Sequence, residues 1–396
     1  MFAVVLVVEP LPVLAVSSLV QQNGVLCAPA GGIIRCGSTL SVHFSSNVAS
    51  GNVVVAAIAS GDPSPATVAS IGDSLGSSFT QAVSTSHDLQ YAYIYYAVLS
   101  SSGPDTVTVT FSHDLSDENG MAYLYIYEVS GVTTTDLATG AGSGDLPVPP
   151  SSGPISTSST NFQSGAFLVA IMANNIISSD WGAGSGFQFS PGPCDANNNC
   201  DVLVRLSKAE YSTSGVSPPT TFPATLSTTG NQGGNWVEVG LALNAKPVIS
   251  LNPTCGLPGT RVEVTGVGFT RHANSFCEIH SNPAGLVGAT RFIDFDCNIL
   301  ADGSVSGLDG PAFFVVAAGA SGLYSVTVYY APALETPQES APVGFSTQCG
   351  GTMSGPVGGL MEPVDKLAVF APYFALFGLA AIVAVGVAKP WKKPDN

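Results

Sequence analysis

Positive charge is scarce in this chain. Eleven lysine and arginine residues stand against 27 aspartate and glutamate residues, and the formal net charge is −16. Nucleic-acid binding requires a basic surface, so this composition excludes that class of function. Charged residues of both signs make up only 10% of the sequence. The remainder is rich in small and β-branched residues, which favours short strands and turns over amphipathic helices.

Common catalytic and cofactor motifs are also lacking. The sequence contains no CxxC pair of a zinc ribbon or thioredoxin site, no phosphate-binding loop and no dinucleotide fingerprint. The five histidines are dispersed along the chain, so no metal cluster is indicated. These absences predict that the protein is not an enzyme and needs no cofactor.

One tetrapeptide tests that prediction. Residues 72–75 spell GDSL, which resembles the block around the nucleophilic serine of the SGNH hydrolases. Such a serine needs a histidine base and an orienting acid, and that family supplies them as Asp-x-x-His, which occurs nowhere in this sequence. We therefore interpret Asp73–Gly76 as a turn between strands and Ser74 as a turn residue.

A long uncharged run lies near the carboxyl end. Residues 367–388 read LAVFAPYFALFGLAAIVAVGVA, which as a helix is about 33 Å long and crosses a hydrocarbon layer of about 30 Å. Lys389, Lys392 and Lys393 place the tail 389–396 in the cytoplasm by the positive-inside rule. The sequence thus predicts a single-pass protein of the cell membrane with its N-terminal part outside the cell. The alternative is a buried core helix.

The N-terminal end is consistent with that topology. Residues 1–15 read MFAVVLVVEPLPVLA and resemble the end of a secretory signal, with small residues before a cleavage point. No basic residue precedes the apolar run, and Glu9 interrupts it. The alternative is that this segment is the first strand of the mature protein.

Eight cysteines suit an extracellular chain, where disulfides are the default. The number of possible pairings is 105, and we choose among them by closeness in sequence. The predicted pairs are Cys27–Cys36, Cys194–Cys200, Cys277–Cys297 and Cys255–Cys349. The last pair joins the two ends of one domain. Free buried thiols are the alternative.

Hydrophobic alternation predicts half-buried antiparallel strands over Thr106–Phe111, Asn235–Asn244 and Tyr324–Tyr330. Continuous apolar runs at Val53–Ile58 and Ala166–Ala173 predict central strands covered on both faces. With Gly/Pro turns between them, these patterns indicate an all-β fold of two β-sandwich domains, followed by the C-terminal transmembrane helix.

The second domain carries a recognisable opening. It reads Pro247-x-Ile249-x-x-x-Pro253-x-x-Gly256-x-Pro258-Gly259-Thr260-x-Val262-x-Val264-x-Gly266-x-Gly268-Phe269, and later Gly322-Leu-Tyr324-Ser-Val326-Thr-Val328. This pattern resembles an IPT/TIG immunoglobulin-like domain. The resemblance covers about residues 246–347 and implies an Ig-like sandwich. Residues 348–366, rich in Gly and Pro, then read as a stalk.

Residues 16–245 carry a second resemblance. The chain reads Phe44-x₆-Gly51-Asn52-Val-Val-Val55, then Val68-x-x-Ile71-x-Asp73-Ser-x-Gly76-x-x-Phe79, then Tyr127-Glu128-Val-Ser-Gly131. This resembles a β-sandwich repeat of secreted bacterial and archaeal surface proteins, which implies a jelly-roll-like sandwich. Such an ectodomain with one C-terminal span and a short basic tail is similar to archaeal cell-surface proteins.

Two groups of side chains are candidate binding sites. Asp195, Asn197, Asn199 and Asp201 alternate as ligands do in calcium loops; the alternative is an exposed turn closed by a Cys194–Cys200 disulfide. Tyrosines also alternate in two stripes, which we expect to stack across neighbouring strands or, alternatively, to form a glycan platform. The stripes are Tyr91, Tyr93, Tyr95, Tyr123, Tyr125 and Tyr127. Next to the second stripe, Glu128 either caps a strand end or pairs with a cation.

The sequence therefore favours a structural or adhesive protein of the cell envelope. Its expected partners are the membrane, through the C-terminal helix, and copies of itself or other envelope proteins, with no nucleic acid. The alternative function is a carbohydrate-binding surface module, with a glycan as the partner.

The cysteine framework can be tested chemically. Thiol alkylation of the denatured chain without reductant should leave its mass unchanged, because paired cysteines do not react. Reduction should lower the free energy of unfolding by about 2–5 kcal/mol for each structural disulfide removed. Labelling of all eight cysteines before reduction would contradict the framework.

Overall fold

The computed structural model describes the following residues: 17–27, 37–61, 66–115, 121–134, 137–145, 165–174, 180–184, 186–190, 207–212, 227–229, 235–269, 276–287, 292–295, 297–299, 305–307, 312–331 and 338–349. Within these ranges every regular element is a β-strand, as predicted. No helix in this part of the chain is long and apolar enough to span a bilayer. The predicted span 367–388, the tail 389–396 and residues 1–15 lie outside the described residues.

The strands before residue 150 are β1 Ser18–Cys27, β2 Thr39–His43, β3 Val53–Gly61, β4 Val68–Asp73, β5 Thr80–His87, β6 Gln90–Val98, β7 Thr106–Phe111, β8 Met121–Ser130 and β9 Ala138–Asp145. Those up to residue 245 are β10 Phe167–Asn174, β11 Asp180–Gly182, β12 Gln188–Phe189, β13 Ser207–Ser212, β14 Ser227–Thr229 and β15 Asn235–Leu243. The remaining strands are β16 Val248–Asn252, β17 Arg261–Val267, β18 Phe276–Asn282, β19 Phe292–Phe295, β20 Cys297–Ile299, β21 Val305–Gly307, β22 Ala312–Val315, β23 Leu323–Ala331, β24 Gln338–Glu339 and β25 Val343–Ser346.

Three antiparallel sheets contain most of the described strands of residues 17–245. The central sheet has the strand order β1-β8-β3-β6-β5, the small sheet β2-β7-β4 and the outer sheet β12-β13-β10-β15-β9. Strands β11 and β14 form a separate two-stranded sheet. The small sheet packs on one face of the central sheet and the outer sheet on the other.

The sequence of β3 explains why its sheet is central. Val53, Val55, Ala57 and Ala59 pack into the core shared with the outer sheet. Their neighbours Val54, Ala56 and Ile58 pack into the core shared with the small sheet. Because successive side chains of a strand point to opposite faces, a strand that is apolar at every position needs a cover on both sides. This confirms the prediction for Val53–Ile58.

The two cores make this region a three-layer structure. A jelly roll has two sheets, whereas the central sheet here carries a separate hydrophobic core on each face. The expectation of a single jelly-roll-like sandwich was therefore too simple. Alternation along one strand indicates which residues are buried, but it does not count the layers that bury them.

Residues after 245 form their own core. The sheet β16-β17-β22 faces a larger sheet organised around β18 and β23. Their inward side chains include Val262, Val264, Tyr324, Val326 and Val328, all buried in one cluster. The last three of them alternate along the strand that the sequence predicted over Tyr324–Tyr330.

A disulfide joins Cys255 and Cys349, the pairing predicted from the sequence, with a Cα–Cα distance of 5.4 Å. It links the segment after β16 to the segment after β25, next to the backbone bridge between Cys255 and Ser346. Cys27 is also disulfide-bonded, while its predicted partner Cys36 lies outside the described residues.

The other two predicted pairs are less fully described. The backbones of Cys277 and Cys297 lie directly opposite each other on β18 and β20, which is the placement that a cross-strand disulfide requires. Cys194 and Cys200 lie outside the described residues.

The central position of β3 can be tested by matched substitutions. Val55 is fully buried in β3, whereas Val20 of β1 is 50% exposed. We expect Val55→Ala to lower the free energy of unfolding by about 2 kcal/mol or more, since it removes buried methyl groups and leaves a cavity. Val20→Ala should change it by less than about 0.5 kcal/mol. Urea unfolding measures both, and equal effects would contradict the burial of the Val55 face of β3 under the outer sheet.

Candidate functional site

The two tyrosine stripes lie on strands that do not touch. Tyr91, Tyr93 and Tyr95 belong to β6, the second stripe belongs to β8, and β3 lies between these strands. The stripes also point to opposite faces of the central sheet. The predicted stacking of one stripe on the other is therefore wrong. Register decides this, because alternation within a strand does not reveal its neighbour.

The β8 stripe is core. Tyr123, Tyr125 and Tyr127 are at most 2% exposed and pack between the central and outer sheets. The ring of Tyr127 lies 5.9 Å from that of Phe167 on β10, centroid to centroid. Burial raises the pKa of the Tyr125 hydroxyl well above its usual value. A glycan platform at these three residues is wrong, since no ligand reaches them.

The β6 stripe is partly open to solvent. Tyr91 and Tyr93 stack with ring centroids 6.3 Å apart, and Tyr93 and Tyr95 follow at 6.4 Å. Tyr91 and Tyr95 are half-buried, whereas Tyr93 is 8% exposed. Burial, followed by the neighbouring tyrosines, raises the pKa of Tyr93 to about 12. This tyrosine ladder (Tyr91, Tyr93 and Tyr95) keeps the glycan prediction open for β6 alone.

Polar groups of the edge strand β5 border the tyrosine ladder. The Tyr95 hydroxyl donates to Gln81 Oε1 at 2.9 Å, and Gln81 Nε2 donates to Ser84 Oγ at 3.0 Å. Both Gln81 and Ser84 are exposed. The surface therefore combines aromatic rings with amide and hydroxyl groups, the two kinds of contact that a sugar ring uses.

Glu128 serves the fold rather than a cation. It is fully buried near the end of β8. Its carboxylate accepts hydrogen bonds from the backbone N–H of Ala49 at 2.8 Å, from Asn52 Nδ2 at 2.6 Å and from Gln21 Nε2 at 2.7 Å. The sequence left two roles open for Glu128, capping a strand end or pairing with a cation. The structure shows the capping role. The carboxylate holds the connection between β2 and β3 against the strand end.

Ser74 makes hydrogen bonds suited to a turn. Its hydroxyl donates to Asp105 Oδ1 at 3.0 Å and accepts from the backbone N–H of Thr106 at 3.0 Å. Asp73 Oδ1 accepts from the N–H of Ser77 at 2.7 Å. In the described part of the chain, none of the hydrogen bonds of Ser74 involves a histidine. The bonds attach the end of β4 to the start of β7.

Asp105 carries an unusual carboxyl group. The residue is only 3% exposed, and its Oδ2 atom has no hydrogen-bond partner. Burial raises the pKa of this carboxyl, and the nearby charge of Asp73 raises it further against the lowering effect of the Ser74 hydroxyl. The Oδ2 atom of Asp73 is likewise buried without a partner. Burial thus favours the neutral, protonated form of the Asp105 carboxyl.

A third constellation was not foreseen. His87 Nε2 lies 3.2 Å from Asp145 Oδ1, and ligand atoms of His87, Asp88 and Asp145 all lie within 4.8 Å of one another. Asn235 donates through Nδ2 to Asp88 Oδ2. The sequence indicated no such group of side chains, and the structure brings Asp145 to the other two although it lies far from them in the chain. Sequence reasoning missed it because β9 comes close to β5 only through the stacking of two sheets.

A polar cavity of about 430 Å³ lies beside the start of the second group of sheets. Lys246, His280, Asn282, Thr327 and Glu339 line it, together with serine and proline side chains. His280 Nε2 lies 2.9 Å from Glu278 Oε2, and its ring stacks on Tyr329 with centroids 4.9 Å apart. The cavity can hold a small polar molecule, although nothing in its lining selects one.

The residues of the predicted calcium loop lie outside the part of the chain that the structure describes. Asp195, Asn197, Asn199 and Asp201 are not among the described residues. Comparison with known proteins adds nothing to these sites, because no protein-family model, curated protein or solved structure matches the chain. The resemblances to IPT/TIG domains and to surface repeats accordingly remain predictions from the residues that carry them.

The raised pKa of Asp105 predicts a pH dependence of stability. The folded state holds this proton more tightly than the unfolded state, so stability falls as pH rises from the ordinary aspartate value, about 3.9, through the raised value. Asparagine does not titrate and keeps the acceptor oxygen for Ser74. Asp105→Asn should be at least as stable as the wild type near pH 7, and this advantage should vanish below about pH 4.

Urea unfolding at the two pH values measures this difference. Glu339→Gln is the control, because Glu339 is exposed. A variant that is clearly less stable than the wild type near pH 7 would show that the Asp105 carboxylate is needed in its charged form.

Proposed function

We propose that the protein is a membrane-anchored structural or adhesive component of the cell envelope, with its β-sheet region outside the cell. The observation that carries this proposal is the presence of disulfide bonds in the described part of the chain. Cys255 and Cys349 are cross-linked, and Cys27 is disulfide-bonded. Such cross-links persist in oxidising compartments and are rare in the cytosol. The uncharged run 367–388 supplies the proposed anchor.

The proposed ectodomain has two parts, an N-terminal β domain over residues 16–245 and an Ig-like domain over residues 246–347. Separate hydrophobic cores on either side of Lys246 support this division. The Cys255–Cys349 disulfide would brace the second domain close to its exit toward the membrane. Acidic composition keeps such a surface soluble outside the cell.

Self-association through a strand edge is the proposed mode of contact. Among the described residues, β22 pairs only with β17 and so ends its sheet. Two large apolar side chains of β22 face solvent, Phe313 at 37% and Val315 at 47% exposure. The guanidinium of Arg261 lies over the Phe313 ring at 3.8 Å. An apolar edge strand is a ready template for pairing with another chain.

Carbohydrate binding is the second candidate function. The tyrosine ladder favours it, because Tyr91 and Tyr95 are half-buried and the Tyr95 hydroxyl contacts the exposed amide of Gln81. Aromatic faces carry the apolar side of a sugar ring, while the amide and hydroxyl groups bind its polar edge. This surface lies on β6 and is distinct from the β22 edge.

One set of variants separates the two functions. The full-length chain in detergent should form oligomers or filaments by sedimentation and electron microscopy. Val315→Lys should abolish them, since an edge lysine disfavours strand pairing. Leu257→Lys is the matched control, because Leu257 is 67% exposed and lies between β16 and β17. It should assemble normally.

The contrary result is equally specific. A wild-type chain that stays monomeric would contradict the structural proposal. If that monomer is retained on a polysaccharide column, and Tyr95→Ala releases it, the carbohydrate-binding function is favoured instead.

A further inference from the structure

We propose that His87, Asp88 and Asp145 together bind one divalent transition-metal ion such as zinc. The three side chains come from two places in the sequence and two layers of the fold. His87 ends β5, Asp88 follows in the turn to β6, and Asp145 ends β9 of the outer sheet. Their ligand atoms lie within 4.8 Å of one another, close enough to converge on one ion after small side-chain rotations.

The turn geometry keeps two ligands on one side. His87 pairs with Gln90 across the two-residue turn of Asp88 and Leu89. Asp88 has φ of 50°, a left-handed conformation that aspartate tolerates better than most residues. The carboxylate of Asp88 accepts a hydrogen bond from Asn235. Asn235 lies on β15 and is the backbone partner of Asp145 on β9. The hairpin turn and the outer sheet therefore meet at this one point.

Charge gives an independent argument. Two carboxylates lie together here with one imidazole, and no lysine or arginine within the described ranges forms an ion pair with either of them. Like charges at this separation repel each other. A divalent cation would neutralise both and would replace the repulsion with two ligand bonds.

The ligand chemistry selects the class of ion. An imidazole nitrogen with two carboxylate oxygens suits zinc and related first-row metals, whereas calcium and magnesium prefer oxygen ligands alone. Three protein ligands leave room for water or the Asn235 amide to complete the coordination. His87 is half-buried and both aspartates are exposed, so the ion can enter from solvent.

Such an ion would tie two layers of the fold. The β5–β6 hairpin forms the edge of the central sheet, and β9 forms the edge of the outer sheet. Between these edges, the ion would add a cross-link near the surface, in a region that the described disulfides do not reach. The free energy of unfolding would thereby rise with the logarithm of the ratio of the metal concentration to the dissociation constant.

Zinc titration of the full-length chain tests the site. The chain is purified in detergent, stripped with EDTA and titrated with zinc chloride by calorimetry, and thermal unfolding is followed with and without zinc. We expect saturable binding that includes one equivalent at this site, and a higher unfolding midpoint with zinc. Asp88→Asn should weaken that equivalent about tenfold or more. Asparagine tolerates the same backbone conformation, so this variant should fold.

His87→Gln is the second variant and should lose the same equivalent. His43→Gln is the matched control, because His43 is an exposed histidine on β2 of the small sheet. It should bind zinc as the wild type does. The proposal is overturned if the wild-type chain takes up no zinc, or if Asp88→Asn and His87→Gln bind zinc with unchanged affinity and stoichiometry.

Discussion

Burial of both faces of one sheet is the constraint on which residues 17–245 depend. β3 and β8 are buried along nearly their whole length, and each lies between two other strands of the central sheet. Side chains that alternate in direction along such a strand need a cover above and below. The small sheet supplies one cover and the outer sheet the other. The other features of this region lie where the central sheet is not covered by these two sheets.

Buried polar side chains lie at the borders of the two hydrophobic cores. Glu128 and Asp105 are both buried, but each lies near a strand terminus and accepts hydrogen bonds from a connecting segment. A buried carboxylate costs free energy unless it is hydrogen-bonded, so these residues determine how the connections leave the sheets. The tyrosine ladder and the His87 cluster lie at the other boundary, toward the edge strand β5. Binding surfaces are expected there, where side chains meet solvent on a rigid sheet.

Local patterns predicted much of this correctly. Val107, Val109 and Phe111 face inward on β7, as alternation requires, and Val262 and Val264 do so on β17. The disulfide between Cys255 and Cys349, predicted to join the two ends of one domain, is present. The errors concerned which strands are neighbours and how many layers the sheets form. Tyr125 was placed beside the β6 tyrosines, although β3 separates them and the two rows face opposite ways. The His87 cluster was missed for the same reason.

By itself, the amino-acid sequence determined the all-β class, the strand positions and the inward residues, because a strand's alternation is written in adjacent side chains. It also determined the acidic charge and the uncharged run 367–388. Only the tertiary structure decided the number of layers, the strand order and the meeting of His87 with Asp145. Those features arise from contacts between residues far apart in the chain, and no period within a single segment encodes them.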